Sequence, residues 1–194
     1  TGMGTSDEIL MAMNIIKDIN PNLILMHCSS TYPTLPKNAN LNNINLLSQF
    51  CDIVGYSDHT IGINAPISAV SLGAKVIEKH YTYDRNQDGA DHLVGVDYKM
   101  LDEMVKSIRE TENLLGSNNR VLCKEEYDAR QFKRRKLIIN NNITAGSTIK
   151  NSDIICLQTK DNTGIQCINK DQIIGKIINK NAKTGYILNE KDFE

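Results

Sequence analysis

Across residues 1–116, short continuous apolar runs alternate with segments whose apolar residues recur every three or four positions. A continuous run of strand length suits a strand buried on both faces of a parallel sheet. Three such runs stand out: Leu23-Ile24-Leu25-Met26, Ile53-Val54-Gly55-Tyr56 and Val76-Ile77. Helical spacing is set by Ile9, Met13 and Ile16, by Leu41, Ile44, Leu47 and Phe50, and by Leu101, Met104, Val105, Ile108 and Leu115. Thr5-Ser6-Asp7-Glu8 reads as a capping box, with Glu8 reaching back to the Thr5 amide, and Gly116 is placed to end the last helix. Residues 82–95 read as a long loop.

Between the second and third runs lies a small-residue apolar stretch of helix length, residues 65–74. Strand, helix and strand at that spacing make a βαβ unit, whose parallel strands bring their polar tips to one edge. The tips are Ser57-Asp58-His59 and Glu78-Lys79-His80, 21 positions apart. Two imidazoles flanked by carboxylates on one sheet edge form a credible metal and substrate site. The predicted class is α/β. Three strands fall short of the eight that a closed (β/α)8 barrel needs, and an open three-stranded sheet leaves its edges uncovered.

Residues 117–136 are dense in charge, at Lys124-Glu125-Glu126 and Lys133-Arg134-Arg135-Lys136, and read as a linker. Beyond them come short β-type runs and an internal echo. Gly146-x-x-Ile149-x-x-x-Asp153-Ile154 returns as Gly185-x-x-Leu188-x-x-x-Asp192-Phe193, 39 positions later. Each copy reads as a glycine turn, an apolar anchor and a capped turn. The expected organisation is therefore a βα domain over 1–116, a linker over 117–136 and a small pseudo-symmetric β-rich domain over 137–194.

With 40% hydrophobic and 23% charged residues, the composition is that of an ordinary globular protein. A net charge of −1 gives no general attraction to nucleic acid or to anionic membranes. No apolar run approaches a membrane span, and the opening residues carry no signal pattern, so a cytoplasmic location is expected. The five cysteines include no C-x-x-C spacing, which suggests reduced thiols rather than a zinc knuckle or a disulfide framework.

Four stretches, in order and in spacing, resemble the sialic acid synthase family: Thr1-Gly2-Met3, His27-Cys28-Ser29-Ser30-Thr31-Tyr32-Pro33, Tyr56-Ser57-Asp58-His59-Thr60 and Val76-Ile77-Glu78-Lys79-His80-Tyr81. From residue 137 on, the chain resembles the antifreeze-like (SAF) domain that closes those enzymes. The resemblance implies the C-terminal part of a TIM barrel followed by a β-clip-like SAF domain. It also implies condensation of phosphoenolpyruvate with an N-acylated hexosamine such as N-acetylmannosamine. The product is a nine-carbon 2-keto acid such as N-acetylneuraminate, with release of phosphate. The family uses a divalent metal, usually Mn2+ (Mg2+ or Co2+ are alternatives), and works as a domain-swapped homodimer. Family members begin with about five further barrel strands that carry a catalytic glutamate and phosphoenolpyruvate-binding lysines. The expectation is thus a C-terminal half that needs its N-terminal barrel partner. The contrasting reading is a non-catalytic fragment or split-gene subunit that serves as a sugar-binding or dimerisation module.

Carried over by motif, His59 and His80 are the metal ligands, since neutral imidazoles suit first-row divalent ions. Ser57 corresponds to a phosphate-contacting hydroxyl, and Ser30 to a position often held by asparagine. Tyr32 corresponds to a sugar-contacting tyrosine. Glu78 and Asp91 are the carboxylates expected on hexosamine hydroxyls, where charge-assisted acceptors orient the substrate. Asp91 sits in Asp88-Gly89-Ala90-Asp91, where the family pattern has Pro-Gly-Pro-Asp. Lys160 aligns with an arginine that reaches the sugar's N-acyl group, keeping the charge and losing the planar fork. Phe132 is a candidate apolar sugar contact.

Overall fold

The computed structural model describes residues 1–193 and divides into two compact units, Thr1–Asn118 and a second that begins at Asn119. The first unit runs α1 (Ser6–Ile19), β1 (Ile24–Cys28), α2 (Asn43–Leu47), β2 (Ile53–Asp58), α3 (Asn64–Ser71), β3 (Val76–Lys79), α4 (Ala90–Val94) and α5 (Tyr98–Leu115). Its three strands form a parallel sheet in the order β1-β2-β3. A parallel bridge between Tyr81 and Val96 continues the pattern past β3. The Thr5 capping box is present, with Glu8 accepting from the Thr5 N–H at 2.7 Å.

The core of this unit gathers Met13, Leu25, Ile44, Leu47, Val54, Tyr56, Ala69 and Ala74 around the sheet. Gly55 sits mid-strand because a Cβ there would lie 2.8 Å from the Val76 carbonyl oxygen on the neighbouring strand. Two expectations are corrected. The segment 82–95 is not all loop, because residues 90–94 wind into α4. Of the positions that set the helical spacing, Ile16, Val105 and Leu115 are exposed, since only a narrow stripe of α1 and α5 is covered. On α1 the uncovered face carries Met11, Ile15 and Ile19, four residues apart, at 58–84% exposure.

The second unit contains α6 (Lys124–Lys133), β4 (Lys136–Ile139), β5 (Ile154–Leu157) and α7 (Lys170–Ile173), with β4 and β5 antiparallel. The segment expected as a linker, 117–136, is therefore half helical, with α6 over Lys124–Lys133. Cys123 caps α6, Glu125 and Glu126 fill its first turn and Arg130 and Lys133 its last, which suits the helix dipole. Lys136 is buried at the start of β4, its ammonium donating to the Asn162 carbonyl.

The sequence echo is a structural one. The Gly146 N–H donates to Ile178 O and the Gly185 N–H to Ile139 O, both at 2.8 Å and related by the same 39-residue offset. Ile149 bonds Lys176 as Leu188 bonds Leu137, and Ile143 and Ala182 exchange both of their bonds. Asp153 and Asp192 each accept from the N–H three residues earlier, closing the matching turns. Ile149 and Leu188 are buried anchors of one core. Gly146 and Gly185 both take positive φ, 84° and 88°, which the turns require. The cysteine expectation is corrected here, for Cys156 and Cys167 form a disulfide with Cα atoms 5.7 Å apart. Sequence spacing alone could not pair them. Cys156 lies on β5 opposite Leu137, and the Cys167 N–H donates to Arg135 O, so β4 gathers both. Cys28, Cys51 and Cys123 are free thiols.

Candidate active site at the sheet edge

Side chains alternate faces along a strand, so paired residues on β2 and β3 form rungs on opposite sides. The register sets Ser57 beside Glu78 and Asp58 beside Lys79. The Ser57 hydroxyl donates to Glu78 Oε1 at 2.6 Å. On the next rung, Lys79 Nζ donates to Asp58 Oδ2 at 2.7 Å, with the two side chains only 2% and 0% exposed. Asp58 also accepts from the Tyr56 hydroxyl at 3.0 Å and the Thr60 N–H at 2.8 Å. Burial first, and the Asp58 carboxylate second, push the Tyr56 phenol far above its ordinary value. This ion pair ties together the residues immediately before His59 and His80.

Past those rungs the two histidines converge, with ring centres 5.3 Å apart. Two imidazoles sharing one ion through nitrogens at about 2.1 Å would have ring centres about 4.6–5.2 Å apart, for ligand angles of about 90–110°. The observed 5.3 Å is slightly wider than that span. His59 Nδ1 lies 2.9 Å from Ser29 O, so the proton assigned there donates to that carbonyl and leaves a lone pair on Nε2. Tyr32 donates its hydroxyl to that Nε2 at 2.7 Å, and its ring lies 4.1 Å from His59 and 5.6 Å from His80. Desolvation, followed by Cys28, Asp91 and Glu78, raises the Tyr32 phenol, keeping its donor proton in place. The 29–34 loop that carries Tyr32 is pinned to the tip of β2 by the Thr34 N–H donating to His59 O.

Of the residues singled out from sequence, Ser57, Glu78, His59, His80 and Tyr32 come together on one edge. Asp91 is at the start of α4, largely exposed, with Oδ1 3.9 Å from His80 Nδ1. Ser30 lies 3.6 Å from the Cys28 sulfur, which in turn is 3.8 Å from His59 Nδ1. A Cβ on Gly2 would meet the Ser30 hydroxyl, so the Thr-Gly-Met stretch packs directly against the 29–34 loop. Lys160 and Phe132 belong to the second unit, and both are exposed. Sequence reasoning missed the Asp58–Lys79 pair and the approach of Cys28. The signal for the pair was its equal position in the two motifs, one residue before each histidine. His27 is a core residue, its Nε2 2.7 Å from Ala39 O, and His92 pairs with the Thr82 hydroxyl.

Among the described residues, no three His, Cys, Asp or Glu side chains cluster as a complete metal cage. Nor is any helix long and apolar enough to cross a membrane. Residues 1–120 match the NeuB family model. The chain is 36% identical over 194 residues to the N,N'-diacetyllegionaminic acid synthase of Legionella pneumophila, covering 97% of this chain and 54% of that protein. Among solved structures, the N-acetylneuraminic acid synthetase of Leptospira borgpetersenii superposes with a TM-score of 0.63 at 35% identity, over 68% of this chain and 46% of that one. A spore coat polysaccharide biosynthesis protein E of Chromobacterium violaceum shares the fold at TM-score 0.81 and 18% identity, over 100% of this chain and 59% of that one. The chain spans about half the length of the curated relatives it matches.

Proposed function

The chain belongs to the NeuB family, and on that premise we propose that it supplies the metal- and sugar-binding rim of a phosphoenolpyruvate-dependent nonulosonic acid synthase. The proposed reaction joins phosphoenolpyruvate to an N-acyl hexosamine and releases phosphate. The observation that carries it is the convergence of His59 and His80, with Tyr32, Ser57 and Glu78 beside them. In this reading His59 and His80 hold a divalent ion, Mn2+ in the first instance, whose other positions are left to water and substrate oxygens. When bound, the ion would polarise the sugar's aldehyde carbonyl.

The remaining work falls to the chain's own residues. Ser29 O fixes the His59 tautomer, and Tyr32 holds the ring's outer nitrogen through a hydroxyl that a ligand can displace. Glu78 and Asp91 accept sugar hydroxyls and so orient the acceptor, which in a condensation supplies much of the rate. The Ser57 hydroxyl, which here donates to Glu78, can turn its proton to a phosphate oxygen of phosphoenolpyruvate. Lys160 is proposed to reach the N-acyl group across a domain-swapped homodimer, and Phe132 to make an apolar sugar contact. The apolar face of α1 and the open edges of the sheet support a further requirement, that additional βα units cover them to complete a barrel.

The test measures 2-keto acid formed from phosphoenolpyruvate and N-acetylmannosamine. It uses the chain alone and the chain mixed with a polypeptide carrying the remaining barrel strands. Product is expected only from the mixture, and His59→Ala or His80→Ala should abolish both product and Mn2+ binding followed by electron paramagnetic resonance. Full turnover by His59→Ala in chelator-treated buffer would sink the metal assignment. Intact Mn2+ binding with no product from the mixture would favour the non-catalytic binding module.

A further inference from the structure

The second unit carries a cleft of about 750 Å3, within the size range of small-molecule sites, formed entirely by its own residues. Arg130 and Arg134 stand four residues apart at the C-terminal end of α6, and Lys191 faces the same space. Arg134 is held in place, its Nη1 donating to Gln166 Oε1 at 2.9 Å with most of its fork still free. Arg130, Arg134 and Lys191 form no ion pair among the described residues. Among the described residues Glu190 is the one carboxylate lining the cleft, which leaves these a formal charge of +2 (three cations less one anion). Asn169 and Asn189 add carboxamides.

The walls are built rigidly. Gly164 has φ +95°, and a Cβ on it would collide with the Ile187 side chain and crowd the Leu188 carbonyl oxygen at 3.1 Å. The Ile165 N–H donates to Leu188 O at 2.7 Å and its carbonyl accepts from Leu137, locking that wall to the core. The disulfide from Cys167 to Cys156 anchors the same segment next to Gln166.

We infer that this cleft binds a small phosphorylated sugar, its phosphate gripped by Arg130 and Arg134 and its hydroxyls met by Glu190, Asn169 and Asn189. A phosphate monoester carries close to two negative charges near neutral pH, which matches the cleft. Paired guanidinium groups suit its tetrahedral oxygens better than a point charge does. A carboxylate and two carboxamides are acceptors and donors of the kind sugar hydroxyls need. No aromatic ring lines the cleft, so it offers no platform for stacking a base, which argues against nucleotides and single-stranded nucleic acid. This inference stands apart from the reading of His59 and His80.

Isothermal titration calorimetry of the full chain tests it, with inorganic phosphate, a hexose 6-phosphate, the unphosphorylated hexose and an RNA oligonucleotide as probes. The hexose 6-phosphate should bind more tightly than phosphate, and the bare hexose not measurably. Arg130→Gln should weaken binding about tenfold or more, and Arg130→Lys by less. Because Arg134 also holds Gln166, Arg130→Gln and Lys191→Gln are the decisive variants, with thermal unfolding confirming that both remain folded. Binding should persist in the His59→Ala/His80→Ala double variant, which separates this site from the sheet edge. No binding of either phosphate probe at millimolar concentration overturns the inference. So does binding indifferent to Arg130 and Lys191, abolished by His59→Ala/His80→Ala, or confined to RNA.

Discussion

Lys79→Met removes one member of an ion pair that neither solvent nor any other cation can replace. Asp58 would keep two neutral donors, the Thr60 N–H at 2.8 Å and the Tyr56 hydroxyl at 3.0 Å, and lose the ammonium at 2.7 Å. With both side chains at most 2% exposed, the orphaned carboxylate should cost about 3–5 kcal/mol. That is a large share of the ~5–15 kcal/mol that typical domains possess. At a urea dependence of about 1–3 kcal/mol per molar, the midpoint should fall by about 2 M. The chain has no tryptophan, so equilibrium unfolding is best followed by far-ultraviolet circular dichroism. Asp58→Asn/Lys79→Met keeps an oxygen for Tyr56 and Thr60 while discharging the site, and should recover part of the loss. A loss below about 1 kcal/mol in Lys79→Met, or a double variant less stable than the single, would refute the assignment of a buried, mutually dependent pair.

Three further outcomes are expected. Tyr56 is raised by burial, so the folded state keeps its proton above pH 10 where the unfolded state loses it. Stability should therefore fall as pH rises past about 10, by up to about 1.4 kcal/mol per unit, and Tyr56→Phe should flatten that slope in alkaline urea titrations. Gly55→Ala should destabilise the first unit by about 1–3 kcal/mol, measured by the same unfolding curves, because the new methyl meets the Val76 carbonyl on β3. Reducing Cys156–Cys167 opens a loop of 11 positions and should cost the second unit up to about 3 kcal/mol. Identical melting with and without dithiothreitol would show that the bond does not form.

Local chemistry made much of this readable in advance. The Thr5 box needs only two residues three apart, and the 39-residue echo needs only its glycines and aspartates in step, so both could be seen without a fold. The convergence of His59 and His80 followed from parallel strands ending together, a consequence of topology that spacing reveals. What escaped notice depends on neighbours remote in sequence. A lysine near a strand end reads as solvated until Asp58 is seen beside it. The residues of α6 carry so much charge that their helical order was hidden, although capping and end charges favour it. Cys156 and Cys167 are joined because β4 lies next to both, and no spacing rule contains that information.

The 39-residue exchange of bonds has a temporal consequence. Copy one can close its glycine turn only on Ile178, and copy two only on Ile139, so neither gains much until both are present. Such distant partners delay the reward for ordering the backbone, and they slow folding relative to a helical module of equal size. On a translating ribosome β4 would therefore pair first with β5, and its bonds to Tyr186 and Leu188 would close only once the second copy has emerged.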